Sequence, residues 1–382
     1  MRTPAAPIRP NRLSRLNGWL AALTIGTAIA LIGGLALAMP EVALDASLKG
    51  LAVWWEVLFP ALFPFFVLSE LLLGFGIVHL TGRLLDPLMR PLFRIPGAGG
   101  FVVAMGFASG YPVGARLTSR LMESKLLNRG EGERLVAMTT SSDPIFLIGA
   151  VCIGFFGRAD IVPVLIAAHY GGAMLLGMLL RWTGRGEQMT GADSSGSPAA
   201  GRRRPGGRIR EAFAAMYEAR QADGRTFATM LQDSLKSSLQ LMIVVGGLVV
   251  FFSATLELLI HSGLLGGLRH LFTLALHAAG ASPHLSDALV SGTFEVTLGS
   301  RGAAEAGAGA AAASGALPPL IDRVAAAAFV LSWGGLSVHA QVAGLMSRTS
   351  WRYGPFLRAR LLHAGMAVLL VYLLWPLLYS AS

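Results

Sequence analysis

Several apolar stretches of this chain are long enough to cross a lipid bilayer, and that constrains its fold more than any other feature. Leu20 to Met39 reads LAALTIGTAIALIGGLALAM, and FLIGAVCIGFFG runs after a short break into IVPVLIAAHYGGAMLLGMLL. About 20 apolar residues wound as a helix span the hydrocarbon core. Backbone N–H and C=O groups there must be paired within the protein, which leaves helices or a closed barrel, and segments of this length are helical. Composition agrees, with 54% of the 382 residues hydrophobic and 14% charged, against about 25% charged in soluble domains. The expected class is an all-α polytopic membrane protein.

The first apolar segment follows Arg2, Arg9, Arg12 and Arg15, as the core of a signal peptide would. Its apolar length exceeds a usual signal core, so it is read as a retained first helix. The net charge of +10 follows from the excess of Lys and Arg in cytoplasmic loops of membrane proteins. No basic stripe is interleaved with aromatic residues, so no nucleic-acid partner is expected. The single cysteine, Cys152, excludes an intrachain disulfide and a thiolate metal cluster, and reads as a small core hydrophobe.

Basic residues set the topology. With a cytoplasmic tail at 1–17, a first helix at about 18 to 39 goes out, and a segment from Trp54 to Leu80 returns. The apolar piece at 97 to 108 is flanked on both sides by arginines. Twelve residues cover roughly 18 Å as a helix, too short to span, so a re-entrant hairpin from the cytoplasm is expected. A segment at 135 to 156, broken by TTSSDP, and one at 161 to 180 complete a first membrane repeat, 18–180. Residues 181–235, rich in Gly, Ser and Arg, read as a basic, partly flexible cytoplasmic linker. The second repeat, 236–380, starts near Leu239, and 262 to 280 lies on or dips from the outer face. LVSGTFEVTLGS then forms a hairpin entering from outside. Ile321 to Met346, interrupted by LSWGGLS, crosses inward, and Phe356 to Tyr379 goes out. This leaves Lys49, Arg158, Arg269, Arg301 and Arg323 outside and places the remaining Lys and Arg, Arg360 among them, at the inner face. Trp54, Trp55, Trp351, Tyr353, Trp375 and Tyr379 read as interfacial anchors.

Ser109-Gly110 lies 50 residues after Phe59, and Ser291-Gly292 lies 49 after Met242. Each half then reads as spanning helix, connector, re-entrant hairpin and discontinuous transmembrane helix, with opposite orientation. Inverted repeats with paired broken helices are an architecture of secondary transporters, with substrate bound at the breaks.

The candidate substrate-binding residues sit at these breaks. Ser109, Gly110, Tyr111 and Gly114, with Pro112, supply a hydroxyl, a close backbone approach and a helix start whose amides can face an anion; the plain alternative is a Gly/Pro turn. Thr140, Ser141, Ser142 and Asp143 interrupt the first broken helix. Asp143 is an intramembrane carboxylate and therefore a functional candidate, or a helix cap near the interface. Ser291, Gly292, Thr293 and Glu295 form the counterpart hairpin tip, where Glu295 could take a proton, hold a cation or bond a substrate NH or OH. Ser332, Trp333, Ser337, His339 and Gln341 lie around the second broken helix. His339 can change charge near neutral pH or serve as a neutral strut. Glu70 and Glu257, in SELLL and LELLI, are secondary candidates. No phosphate loop, metal-ligand spacing or serine–histidine–acid arrangement is present, so neither an enzyme nor a cofactor is expected.

The runs LFPALFPFFVLSELL (58 to 72), SGYPVGA (109 to 115), TTSSDPIFLIG (139 to 149), SGTFEVT (291 to 297) and GGLSVHAQV (334 to 342) together resemble the YlbJ-type sporulation integral membrane proteins. These are also called SpoVV and carry a nucleoside-recognition Gate domain. The resemblance spans about 15 to 380, and that family is distantly similar to concentrative nucleoside transporters. It implies movement of dipicolinic acid (pyridine-2,6-dicarboxylate) from the mother cell across the outer forespore membrane during sporulation. On that implication the four break regions line the path, the lipid bilayer is the environment, and a coupling proton or cation and a homo-oligomer are open partners. Tyr111 or Trp333 would cover the substrate ring, with Ser109, Ser141, Ser291, Thr293 and backbone amides on its carboxylates. Asp143 and Glu295 are awkward for a dianion unless protonated or neutralised. Two alternatives remain: a cation-coupled carrier of nucleosides or other small metabolites, and a non-transporting sporulation membrane scaffold.

Overall fold

The computed structural model describes residues 12–183, 189–190, 205–307 and 317–379, and every regular element among them is helical. Helix α1 is Arg12–Ala38. A 35-residue span, Pro40–Gly74, follows, made of α2 (Pro40–Ala52), a π-wound turn at Val53–Leu58 and α3 (Phe59–Gly74). The amphipathic α4 (Ile77–Phe93) then turns by 83° into α5 (Ala98–Ser109). Asp86 secures that turn by accepting the Gly97 N–H at 2.8 Å. Next come α6 (Tyr111–Glu123), α7 (Arg129–Thr139) and the π-wound α8 (Ile145–Phe155). The first half closes with the span Ala159–Leu180, here α9.

The second half repeats this order. After α10 (Pro205–Asp223) comes the 35-residue α11 (Phe227–His261), the amphipathic α12 (Gly266–Ala278), and the short pair α13 (Ser286–Phe294) and α14 (Val296–Glu305). The broken span Leu320–Met346 consists of α15 (Leu320–Trp333) and α16 (Gly335–Met346), and α17 (Tyr353–Leu378) ends the fold.

Among the described residues, five helices are long and apolar enough to cross a membrane: Pro40–Gly74, Ala159–Leu180, Phe227–His261, Leu320–Met346 and Tyr353–Leu378. The outward faces carry exposed Leu37, Trp55, Ile243, Leu369 and Leu377. Such a belt of apolar side chains suits lipid and would be a liability in water. The broken span is the most buried of the five, as a helix with unpaired backbone groups must be.

Two contacts position the interior. The long helices pack on each other, with Trp54 lying on Gly246, where an added Cβ would stand 2.5 Å from the indole. The Trp54 Nε1–H donates to the Met242 carbonyl at 3.0 Å. Trp54 therefore packs between the long helices. The halves also interlock reciprocally: α6 packs on α16, and α14 packs on α8. The second arm of each short helical pair thus meets the broken helix of the other half.

Several expectations change. The stretch 181–235 contains α10 and the start of α11, so the second long helix begins at Phe227, before Leu239; 184–188 and 191–204 lie outside the described residues. Much of the Ala/Gly-rich run at 303–316 does too, from 308 onward. The helix expected at 18–39 runs from Arg12 to Ala38, and the returning segment expected at 54–80 is the span Pro40–Gly74, which starts 14 residues earlier. Ser291-Gly292 is not a break. Helix α13 runs through both residues to Phe294, and the chain becomes extended at Glu295 (φ −143°, ψ 129°). Gly292 has instead a packing role, since a Cβ there would meet Val330 at 2.3 Å.

Gly335 illustrates how little room the breaks leave. Its φ is +73°, and a Cβ would stand 2.8 Å from the Phe294 carbonyl oxygen and 3.1 Å from the Glu295 Cα. Gly335→Ala should cost about 2–4 kcal/mol, combining left-handed strain with overpacking. Thermal unfolding of the purified variant checks this against Gly344→Ala, whose Cβ would meet nothing within 4 Å and which should melt no lower than the parent.

Candidate functional site

At the first break, Thr140 to Asp143 leave the helical path between α7 and α8. The Asp143 Oδ1 accepts the Phe146 N–H at 2.9 Å, capping α8. The tip of the first hairpin comes directly onto it. Gly110 has φ +85°, and a Cβ there would stand 3.2 Å from the Asp143 Oδ2. Glycine supplies both the left-handed backbone and the close approach. Beside it, the Tyr111 hydroxyl donates to the Leu331 carbonyl at 2.9 Å, reaching the end of α15 in the other half.

At the second hairpin, Glu295 caps α14. Its Oε2 accepts from the Thr297 N–H at 2.7 Å and the Leu298 N–H at 2.9 Å, and its Oε1 from the Thr297 hydroxyl at 3.2 Å. Gly334 (φ +87°) and Gly335 form the break between α15 and α16, and the Trp333 Nε1–H donates to the Thr293 carbonyl at 3.2 Å.

Between these elements lies a cavity of about 30 Å³, room for about one water molecule. The elements around the breaks and hairpin tips contribute Tyr111, Asp143, Glu295, Ser337 and Gln341 together with the apolar Pro112, Phe146, Val296 and Val338. The two long helices contribute apolar side chains alone, Leu58, Leu62, Val245 and Val249. Two carboxylates and no Lys or Arg line the space. Small-molecule pockets occupy about 300–1,000 Å³, so the walls must separate to admit a solute of that size.

The other expected residues lie elsewhere. The Ser109 hydroxyl is buried without a partner among the described residues. Gly114 serves packing, since a Cβ would stand 2.6 Å from the Thr139 hydroxyl. The Thr140 and Thr293 hydroxyls are turned back onto the Val136 and Leu289 carbonyls of their own helices. Ser291 and Gly292 are within α13. His339 is held between the Tyr353 hydroxyl, at Nδ1, and the Trp333 carbonyl, at Nε2, the geometry of a neutral strut. Glu70 pairs with Arg116 at 2.6 Å and Arg120 at 3.2 Å, whereas Glu257 faces His261 on its own helix.

Ser141, Ser142 and Ser332 converge on a residue not among the candidates, His169 of α9. The Ser142 N–H donates to its Nε2 at 3.1 Å, and the Ser141 hydroxyl lies 2.8 Å from the same atom. Nε2 is therefore the acceptor nitrogen, and Nδ1 carries the proton to the Ser332 hydroxyl at 3.0 Å. One neutral imidazole thus joins both breaks. The Tyr170 hydroxyl donates to the Ser142 carbonyl at 3.0 Å, and His363 Nε2 to the His169 carbonyl at 2.9 Å. Arg360 also lies here, fully buried, and not at the inner face. The signals were present as single polar letters in apolar runs, AAHYGG and RARLLHAG.

His169→Leu leaves the Ser142 N–H and the Ser332 hydroxyl without their His169 partner and leaves the Ser141 hydroxyl only the Ser142 carbonyl at 3.4 Å, at about 1–3 kcal/mol for each group left unpaired. The variant should lose thermal stability markedly in detergent, and His169→Gln, which restores one acceptor and one donor, should lose less.

A family model described as Gate, nucleoside recognition, matches residues 55–166, the portion containing the first hairpin and first broken helix. Across 97% of this chain and 85% of the relative, it is 40% identical to the sporulation integral membrane protein YlbJ of Bacillus subtilis (strain 168). The relationship thus extends through both halves and sets the chain among membrane proteins and not among enzymes. The chain belongs to the family of YlbJ-type sporulation integral membrane proteins, which carry a nucleoside-recognition Gate segment.

Proposed function

We propose that the chain is a secondary-type transporter of small hydrogen-bonding metabolites, with neutral solutes of the nucleoside kind its preferred class. On this reading the two runs of elements, 18–180 and 236–380, are inverted repeats, the N-terminus is cytoplasmic, and substrate occupies the cavity between the hairpin tips and the breaks. The observation that carries it is the set of polar side chains gathered at the cavity. Asp143 and Glu295 face one space with Tyr111, Ser337 and Gln341 and no basic residue. Carboxylates and amides of that kind suit ribose hydroxyls and base edges, and repel an uncompensated dianion. The description of the Gate segment as nucleoside recognition supports the same class.

A second reading, dipicolinate movement across the outer forespore membrane, is supported by kinship with a protein named for sporulation. It relied on helix-start amides to hold the two substrate carboxylates. In this conformer the Phe146, Thr297 and Leu298 amides are already bonded to Asp143 and Glu295. Dipicolinate would therefore have to enter protonated or paired with a cation.

Uptake of labelled uridine and labelled dipicolinate by the purified protein in liposomes separates the readings, at two pH values and with and without sodium. Saturable uridine uptake is expected. Glu295→Gln, which keeps an oxygen to cap α14 while removing its charge, should lower it about tenfold to a hundredfold, the effect of one charged hydrogen bond. Dipicolinate uptake without uridine uptake would establish the second reading, and transport of neither would overturn both.

A further inference from the structure

Arg360 projects from α17 into the interior and has no exposed surface. Its Nη1 donates to the Thr140 carbonyl at 2.6 Å and the Ala137 carbonyl at 3.4 Å, and its Nη2 to the Ser332 carbonyl. Ala137 and Thr140 stand at the end of α7, and Ser332 in the last turn of α15. A helix leaves its last carbonyls without intrahelical donors. Its C-terminal end also carries about half a negative elementary charge. Here two such ends meet inside the protein because both helices break at this point, at Thr140 to Asp143 and at Gly334. Their charges sum to about one elementary charge, which one guanidinium balances.

No carboxylate pairs with Arg360 among the described residues; its hydrogen-bond partners are all backbone carbonyls. Arginine keeps its proton under all ordinary conditions, so the positive charge at this point is permanent. The guanidinium does not line the cavity, and its terminal nitrogens are committed to the helix ends, so it is not free to hold a substrate anion. In transporters with discontinuous helices, unwound carbonyls and half-helix C-terminal ends are where coupling cations are coordinated. In this chain those carbonyls are filled from within.

We propose that Arg360 is a resident cation: its guanidinium occupies the carbonyl cluster formed by the ends of the two broken helices, in place of a coupling ion, so that transport by this chain runs without sodium. The consequence for uptake rests on the transporter reading above, whereas the occupancy of the carbonyl cluster does not.

The test uses the purified full chain in detergent and the same chain in liposomes. Wild-type thermal unfolding should be the same in sodium, potassium and choline chloride at equal ionic strength. Arg360→Ala should melt lower. At about ten times their dissociation constants, sodium or methylguanidinium should raise its melting temperature again by roughly 2 °C. Urea, of similar shape but uncharged, should not do so at the same concentration. Arg360→Gln serves if the alanine variant cannot be purified, because it keeps donors and removes only the charge. In liposomes, uptake of uridine or dipicolinate by the wild type should be equal in sodium and choline media.

A sodium-specific rise in the wild-type melting temperature, or sodium-dependent wild-type uptake, overturns the proposal. A folded variant that is rescued by no cation, or equally by urea, does so too. Uptake of neither solute would remove the transporter reading, while the melting experiment would still decide whether a cation site is filled by Arg360.

Discussion

Two helices are interrupted inside the apolar interior, and each interruption strips the backbone of bonds that lipid cannot replace. An unpaired buried carbonyl or amide costs as much as a lost hydrogen bond or more. The chain meets that demand with side chains from α9 and α17, which contribute nothing to the cavity walls. His169 takes the Ser142 amide and reaches the Ser332 hydroxyl, while Arg360 takes carbonyls from both broken helices. His363 ties the two supporting helices to each other through the His169 carbonyl. The outer architecture follows from this, since α9 and α17 must stand beside the breaks for the breaks to exist.

The two carboxylates carry out the complementary task at the helix starts. Asp143 caps α8 and Glu295 caps α14. These two elements pack on each other across the halves, and both acids line one cavity. An acid at a helix N-terminus satisfies orphan amides and faces the positive end of the helix. On the proposed transport reading a solute would meet these same two carboxyl groups, and a conservative amide replacement separates that role from capping better than truncation does.

Much of this was legible in residue order. The Gly110 break, the TTSSD interruption and the Gly334-Gly335 break each carry residues that cannot continue an apolar helix comfortably, and the structure breaks there. The second hairpin was misread because Ser291-Gly292 matches Ser109-Gly110 in letters only. Glycine at 292 makes room for Val330, and the chain turns three residues later, where an acid can cap the next helix. Arg360 and His169 were missed for a different reason. Counting arginines by their neighbours in sequence assigns Arg360 to a cytoplasmic cluster, and an isolated histidine in an apolar run has no local pattern. Their partners lie far off along the chain, at Thr140 and Ser332, and only tertiary packing brings them into reach. Helix α10 was hidden by the opposite effect, because its flanks are rich in Arg, Gly and Ser.

The cavity walls differ in how they can give way. On the polar side, movement between neighbouring elements ruptures directional bonds at Tyr111, His169 and Arg360. On the apolar side, Leu58, Leu62, Val245 and Val249 meet the core through dispersion alone, which is non-directional and tolerates sliding. The long helices are nonetheless pinned to the core at one end, where Arg116 of α6 binds both Glu70 and Ser237. A seam fastened at one end and held by non-directional contact at these four side chains has the build of a hinged panel, and the bond it would keep longest is the Arg116 cluster.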